Sequence, residues 1–240
     1  MADLTFECVD VRSDRFAAGP TLNFRVRVSE SSGERVHAVA LRAQIRIEPQ
    51  KRRYDPAETE RLAGLFGEPA RWADTLKPLQ LATAAVMVPS FDGSVEVDIA
   101  VPCSYDLDVA GGSYFHALAG GEIPLVLLFS GTVFRRGPNG FSVAQVPWSC
   151  EATYRLPLAE WRLMMDHFFP GGGWLRLGRD TLHALGAYKT AHALPTWEHA
   201  IVALLEGALL DQALLDAPLP DHTPPDRAPL DRAPLGRDVP

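Results

Sequence analysis

The sequence has 240 residues, of which 47% are hydrophobic and 22% are charged, as in ordinary globular proteins. Its formal net charge of −7 argues against nucleic acid and anionic membranes as the main partner. The three cysteines are too few and too scattered for a disulfide framework or a CxxC metal site.

The N-terminal stretch "MADLTFECVDVRSDR" lacks the basic region and apolar segment of a signal peptide. The longest apolar run, "IPLVLLF" at 123–129, is far shorter than the roughly 20 residues that cross a bilayer. We therefore expect a cytoplasmic protein without membrane insertion.

The chain divides by composition into a strand-rich part, 1–156, a helical part, 157–210, and a proline-rich tail, 217–240. The tail is too polar for its burial to offset the entropy of ordering, so we predict that it is disordered. The first two parts together predict a single α+β domain over 1–210.

Period-two alternation marks the half-buried strands. It runs through "TLNFRVRVS" (21–29), "VALRAQIRIE" (39–48) and "SVEVDIAV" (94–101). The turn-forming "ESSGE" between the first two predicts that they form an antiparallel pair. "PLVLLFSGTVF" (124–134) is apolar on both faces, which favours a central strand covered on both sides, and "GPNGFSVAQV" (137–146) predicts a hairpin. The pattern predicts antiparallel, β-sandwich-like sheets.

One helix is predicted to interrupt the strands over 56–66. Asp55 is the predicted N-cap, Pro56 occupies the first helical position, Glu58 completes a capping box and Gly67 ends the helix. "GGSYFHALAGGE" (111–122) predicts a further short helix between glycine turns.

About three amphipathic helices are predicted to form a C-terminal layer on the sheets. Their apolar stripes share helical spacing and consist of Trp161, Met164, Met165 and Phe168, then Leu182, Leu185 and Tyr188, then Trp197, Ile201, Leu204 and Leu205. Thr196 is the expected cap of the last helix.

Cys150, in "QVPWSCEATYRLP" (145–157), is the strongest candidate for a nucleophile. A reactive thiolate needs a basic neighbour, but Cys150 precedes Glu151. It also falls in phase with the apolar positions Ala152, Tyr154 and Leu156. We therefore interpret Cys150 as a core cysteine.

No HExxH, GxSxG or Walker pattern is present, and Asp180 and His183 on one predicted helix face are typical of a surface pair. The sequence therefore predicts no catalytic residue, metal site or cofactor.

Arginines crowd one side of the predicted sheet. Arg25, Arg27, Arg42 and Arg46 share the polar face, and Lys51, Arg52 and Arg53 extend it. Like charges opposite one another destabilise a sheet. Three arrangements would relieve this repulsion: the strand register offsets the arginines from one another, acids such as Glu7, Glu96 and Asp98 pair with them, or the arginines bind a partner with an acidic surface.

Three stretches carry a resemblance to a known family: "HAVALRAQIRIEPQKRRYDPAETERLAGLFGEPARWADTLKPL", "IPLVLLFSGTVF" and "VPWSCEATYRLPLAEWRLMM". Over residues 3–205 the chain resembles an uncharacterised actinobacterial family known only as a domain of unknown function. Members of that family are often encoded near genes for a high-affinity NiFe hydrogenase. The resemblance implies an accessory or maturation role and brings no catalytic residue.

The sequence thus favours a non-enzymatic interaction protein with a protein partner and leaves the oligomeric state open. The alternative is a small-ligand-binding protein or enzyme, with a pocket between sheet and helices. That pocket would be lined by Trp148, Tyr154, Trp161 and His167.

Overall fold

A computed structural model describes residues 4–103, 113–137, 140–172 and 177–215. The chain divides into two compact units, Met1–Gly173 and Trp174–Pro240. The single domain over 1–210 stays a prediction, and the predicted disordered tail lies outside the described residues.

The first unit consists of two antiparallel sheets with helices, which confirms the predicted α+β class. Its strands are β1 (Leu4–Ser13), β2 (Thr21–Glu30), β3 (Val36–Ile47), β4 (Leu79–Val88), β5 (Ser94–Pro102), β6 (Glu122–Gly137), β7 (Gly140–Gln145) and β8 (Glu151–Pro157). One sheet has the order β1–β2–β5. The other has five strands in the order β4–β3–β6–β7, and β8 also pairs with β6.

The predicted pairing of β2 with β3 is wrong, because β2 pairs with β1 and β5 whereas β3 pairs with β4 and β6. The segment between them crosses from one sheet to the other. Glu30, at the end of β2, is buried and accepts hydrogen bonds from the Gly33 N–H and from Arg135 of β6, each at 2.9 Å. Alternation identifies the buried face of a strand but does not identify its neighbour.

The inward residues of the alternating strands form the core between the sheets. Phe24 of β2 and Ile45 of β3 are fully buried, as their phase predicts. Phe6 of β1 stacks on Phe129 of β6 with ring centroids 4.4 Å apart, which joins the two sheets directly.

β6 changes its partner half-way along its 16 residues. It pairs with β8 through Leu128 and with β7 from Thr132 onward. Gly131 lies at the change with a φ of 151°, where a Cβ would overlap the carbonyl oxygen of Ala40. Only glycine fits this close approach, so Gly131 permits one strand to serve both neighbours.

Among its described residues, the first unit has the helices α1 (Pro56–Phe66), α2 (Trp72–Thr75), α3 (Ser113–Ala117) and α4 (Leu158–Phe168). The start and end of α1 are as predicted, because Asp55 and Glu58 form a capping box and Gly67 follows with a φ of 75°. The Asp55 carboxylate accepts the Glu58 N–H at 2.7 Å. Local capping chemistry therefore defines both ends of this helix.

Aromatic side chains of the helices form a second part of the core. Phe66 of α1 lies 6.2 Å from Tyr114 of α3, and Phe115 lies 5.2 Å from Trp161 of α4, between ring centroids. α4 contacts β1, β2 and β8. α4 follows β8 directly in the chain.

A buried carboxylate fastens α1 to the rest of the unit. The Glu58 side chain, 4% exposed, accepts hydrogen bonds from both terminal nitrogens of Arg52, at 2.9 and 3.1 Å, and from the Ala119 N–H at 2.8 Å. Arg52 also donates to the Gly120 carbonyl at 2.6 Å. Burial by itself raises the pKa of Glu58, but these hydrogen bonds outweigh it and hold the pKa below its ordinary value.

The second unit is described by α5 (Arg179–Ala191) and α6 (Trp197–Leu215). Thr196 accepts the His199 N–H at 3.2 Å, which confirms it as the N-terminal cap of α6. At the contact between the two helices, a Cβ on Gly186 would lie 3.4 Å from the Trp197 ring. None of the described helices is long and apolar enough to span a membrane.

We predict that Glu58→Gln lowers the free energy of unfolding by about 3 kcal/mol, because it leaves Arg52 buried without its counter-charge. Since folding lowers the pKa of Glu58, its ionic contribution is present above the unfolded pKa of about 4.3 and is lost as the pH falls through the folded value. The variant should therefore lose less stability than the wild type between pH 6 and pH 3. Urea unfolding at a series of pH values measures both effects.

The matched control is Glu96→Gln, which removes a carboxylate from an exposed ion pair with Arg27. It should unfold close to the wild-type midpoint, because exposed pairs contribute little. Equal losses for the two variants would contradict the role of Glu58.

Candidate functional site

Arginines on the outer face of the three-stranded sheet are paired with acids of the same sheet. Arg25 lies opposite Asp98, and its Nε is 2.9 Å from Asp98 Oδ1. Arg27 lies opposite Glu96 and binds it at 2.7 Å while also binding Glu7 of β1 at 3.0 Å. For these two arginines the internal-pairing alternative holds.

The outer face of the five-stranded sheet is different. Arg42 and Arg46 project from β3 between buried residues on either side. The cross-strand neighbours of Arg42 are an alanine and a serine, and those of Arg46 are a glutamine and a valine. The sheet therefore provides no acid directly opposite either arginine.

Arg155 of β8 extends this surface toward the helical end of the sheet. Alternation along β8 turns Thr153 and Arg155 outward, whereas Ala152 and Leu156 are buried. Arg155 lies opposite Pro124 of β6. Two strands and the turn after β3 thus contribute cations to one face. We call it the basic face and define it as Arg42, Arg46, Lys51 and Arg155.

A cavity of about 410 Å³ lies at the helical end of the basic face. Its wall includes Glu48, Lys51, Thr153 and Arg155. Lys51 Nζ lies 2.7 Å from Glu48 Oε2, so one cation of the cavity already has an acid partner. A guanidinium and a hydroxyl remain to bind an incoming anionic group.

In the part of the chain that the structure describes, Arg42, Arg46 and Arg155 form no ion pair. Arg46 donates to the side-chain oxygen of Gln44 at 2.9 Å, a neutral acceptor. Glu151 also points outward on β8, without pairing to these arginines. The basic face thus carries an excess of positive charge in a protein whose net charge is negative.

The six arginines predicted to bind a partner fall into separate environments. Arg25 and Arg27 are paired on one sheet, and Arg42 and Arg46 lie on the other. Arg52 belongs to the buried pair with Glu58. Arg53 is exposed in the segment before α1. The structure does not bring the six together on one surface.

The four predicted pocket residues are also separated. Trp148 is 94% exposed, whereas Trp161 is 4% exposed in the core. His167 contacts the Arg15 carbonyl with its Nε2 at 3.2 Å. Tyr154 lines the cavity of the basic face and a neighbouring one of about 430 Å³. Burial raises the pKa of the Tyr154 phenol, so it stays protonated at neutral pH.

The cavity of about 430 Å³ is built from β1 and the start of α4. Its wall carries both signs of charge, with Asp10, Arg12, Arg15 and Glu160. Arg12 Nε lies 2.5 Å from Asp10 Oδ2, so these charges are partly neutralised within the wall. No group of three or more metal-ligating side chains occurs among the residues described.

Comparison with known proteins assigns the chain to a family. The sequence matches the Family of unknown function (DUF6084) over residues 1–213. The chain belongs to this family. The match agrees with the resemblance to an uncharacterised family seen in the sequence. No protein of the curated set matches the chain.

Solved structures give only remote similarity. A beta-glucosidase from Kluyveromyces marxianus has a TM-score of 0.25 and 9% identity, covering 64% of this chain and 15% of its own. Beta-glucosidase 3B from Thermotoga neapolitana has a TM-score of 0.24 and 14% identity, covering 65% of this chain and 17% of its own. The chain thus spans less than a fifth of either enzyme, and neither likeness carries an argument about function.

Arg155, Thr153 and Glu48 are parts of the site that sequence reasoning missed. The phase of β8 could have found the first two, because they alternate with the apolar positions Ala152, Tyr154 and Leu156. Glu48 gave no such signal, since it lies just beyond the end of β3.

The cysteines of this family member are held as protonated thiols. Burial raises the pKa of Cys8 and of Cys103 to about 12. Burial also raises the pKa of Cys150, which is half-buried and lies 3.6 Å from the Leu4 carbonyl oxygen through its Sγ. The interpretation of Cys150 as a core cysteine holds only in part, because it packs against the buried cluster but is itself half-buried and lies just before β8.

We predict that all three thiols react slowly with an aromatic disulfide reagent at pH 7.5 in the native protein and rapidly in denaturant, because the thiolate is the reacting form. Cys150, the least buried, should react first. Mass spectrometry after timed labelling identifies the order. Native labelling of Cys150 at the rate of an unfolded thiol would contradict this account.

Proposed function

We propose that the chain is a non-enzymatic cytoplasmic binding protein, and that its basic face binds an acidic segment of a protein partner. One contrast carries the proposal. Arg25 and Arg27 on the three-stranded sheet have carboxylates directly opposite them, whereas Arg42, Arg46 and Arg155 on the five-stranded sheet have none. The same fold therefore neutralises one arginine-bearing face and leaves the other charged.

The spacing of the basic face suits an extended ligand. Residues four apart on a strand are about 13 Å apart, and every second side chain points the same way. Arg42 and Arg46 therefore match two carboxylates with the same separation in an extended acidic segment. Guanidinium groups bind carboxylates in a two-point geometry, which favours arginine over lysine for such contacts.

The cavity beside Arg155 supports an anchoring role at the end of this segment. Thr153 and Arg155 offer donors, and the Glu48–Lys51 pair restricts the opposite wall. A carboxylate that enters the cavity would meet the guanidinium of Arg155 in a less hydrated setting than the open sheet surface. The expected ligand is consequently an acidic peptide rather than a free metabolite.

We further propose that the partner is a component of NiFe hydrogenase assembly or function. The support for this step is the resemblance to a family often encoded near such hydrogenase genes. Affinity capture from the native host with the wild-type chain should recover hydrogenase components, and the variant Arg42→Glu with Arg46→Glu should not. Equal recovery by both chains, or reproducible recovery of an unrelated partner alone, would contradict the hydrogenase proposal.

We predict that a fluorescein-labelled peptide of alternating glutamate and serine binds the wild-type protein at low ionic strength, and that Arg42→Gln with Arg46→Gln weakens binding at least tenfold. Fluorescence anisotropy measures both affinities. Binding should also weaken between 0.05 and 0.5 M salt, because the screening length falls well below about 10 Å over this range.

The matched control is Arg25→Gln with Arg27→Gln, which removes the same charge from the paired face. Its affinity for the peptide should remain close to that of the wild type. Equal weakening by the two double variants would contradict a specific basic face. Tighter binding of a single-stranded oligonucleotide than of the acidic peptide would contradict a protein partner.

A further inference from the structure

The second unit exposes more apolar surface than a two-helix segment can bury by itself. α6 has 19 residues, of which only Glu198, Glu206 and Asp211 carry a full charge. Leu205 and Leu209 are 60% and 68% exposed. A helix that is apolar around most of its circumference needs packing partners on several sides.

α5 covers only one side of α6. Ala200 of α6 is fully buried, and Ile201 is half-buried. Between the two helices lies a cavity of about 380 Å³, lined mainly by Ala184, Leu185 and Tyr188 of α5 with Ile201 and Leu204 of α6. Its wall is almost entirely apolar, so water gains few hydrogen bonds there.

An apolar ridge runs along α6 beside this cavity. Val202, Leu205 and Leu209 follow the i, i+3, i+7 spacing of one helical face, and each is more than 40% exposed. The ridge is convex and the cavity is concave. The ridge therefore has a shape that complements the cavity, and both belong to the same unit.

We propose that the second unit binds the second unit of another copy of this chain, with the α6 ridge of each copy packed into the α5–α6 cavity of the other. A twofold interface requires a self-complementary surface, and a ridge beside a cavity meets that requirement. The product is an antiparallel arrangement of four helices around a shared core.

Size and charge favour a second copy over an unrelated partner. A segment of about 40 residues usually needs oligomerisation, disulfides or metal to be stable. A stable interface buries roughly 800 Å² per partner, and α5 and α6, about 20 and 28 Å long, together present a strip of the same order. Residues 177–210 include two basic and three acidic residues, so two copies repel each other little.

Sedimentation velocity of the full chain tests the proposal. The wild type should sediment as a dimer of 26.2 kDa chains at micromolar concentration. Leu205→Asp should weaken dimerisation at least 100-fold, because it places a charge on the buried ridge. Ala184→Glu, on the cavity wall, should have the same effect from the other side of the contact.

Met87→Asp is the matched control. Met87 lies on β4 of the first unit and is 62% exposed, compared with 60% for Leu205. Its substitution should leave the dimer intact. Circular dichroism checks that each variant keeps the wild-type helix content. The proposal is overturned by a wild-type monomer at 50 μM, by a dimer that survives both Leu205→Asp and Ala184→Glu, or by equal dissociation of Met87→Asp.

Discussion

The carboxylate of Glu58 is the point at which three separate segments of the first unit meet. It caps its own helix, pairs with Arg52 of the preceding segment and accepts the Ala119 N–H just before β6. A buried charge is stable only when it is fully hydrogen bonded, so these segments must hold their relative positions. Lys51 directly precedes Arg52, and it lines the cavity of the basic face together with Thr153 and Arg155 of β8.

The two outer faces of the sandwich differ in whether acids compensate the charge of their arginines. On the three-stranded sheet, Arg25 and Arg27 each lie across from a carboxylate, so the face is neutral at close range. On the five-stranded sheet, the cross-strand neighbours of Arg42, Arg46 and Arg155 are alanine, serine, glutamine, valine and proline, none of them acidic. The neighbouring strands create this difference, since β5 carries Glu96 and Asp98 opposite the arginines of β2, whereas β4 has no acidic residue and β6 has only Glu122. The proposed binding function rests on that difference.

Local sequence patterns predicted much of this structure, but they could not predict which distant strands pair. The capping residues around Asp55 defined α1 to the residue, and alternation identified Phe24 and Ile45 as core. The predicted pairing of β2 with β3 was wrong because a turn signal does not reveal whether the chain stays in one sheet. The sequence also could not show which arginines are paired with acids, because that depends on which strands are neighbours. The choice of neighbouring strand, which no local pattern encodes, places Asp98 opposite Arg25 and places only alanine and serine opposite Arg42.

The side-chain Nε–Hε groups of the arginines offer the most direct test of the basic face. Two-dimensional ¹H–¹⁵N spectra, with each signal assigned by substitution, can follow them during titration with the alternating glutamate–serine peptide. The account predicts saturable shifts for Arg42, Arg46 and Arg155, with Arg25 and Arg27 unchanged because their carboxylate partners already occupy them. Shifts of equal size on both faces, or at Arg25 and Arg27 alone, would contradict it.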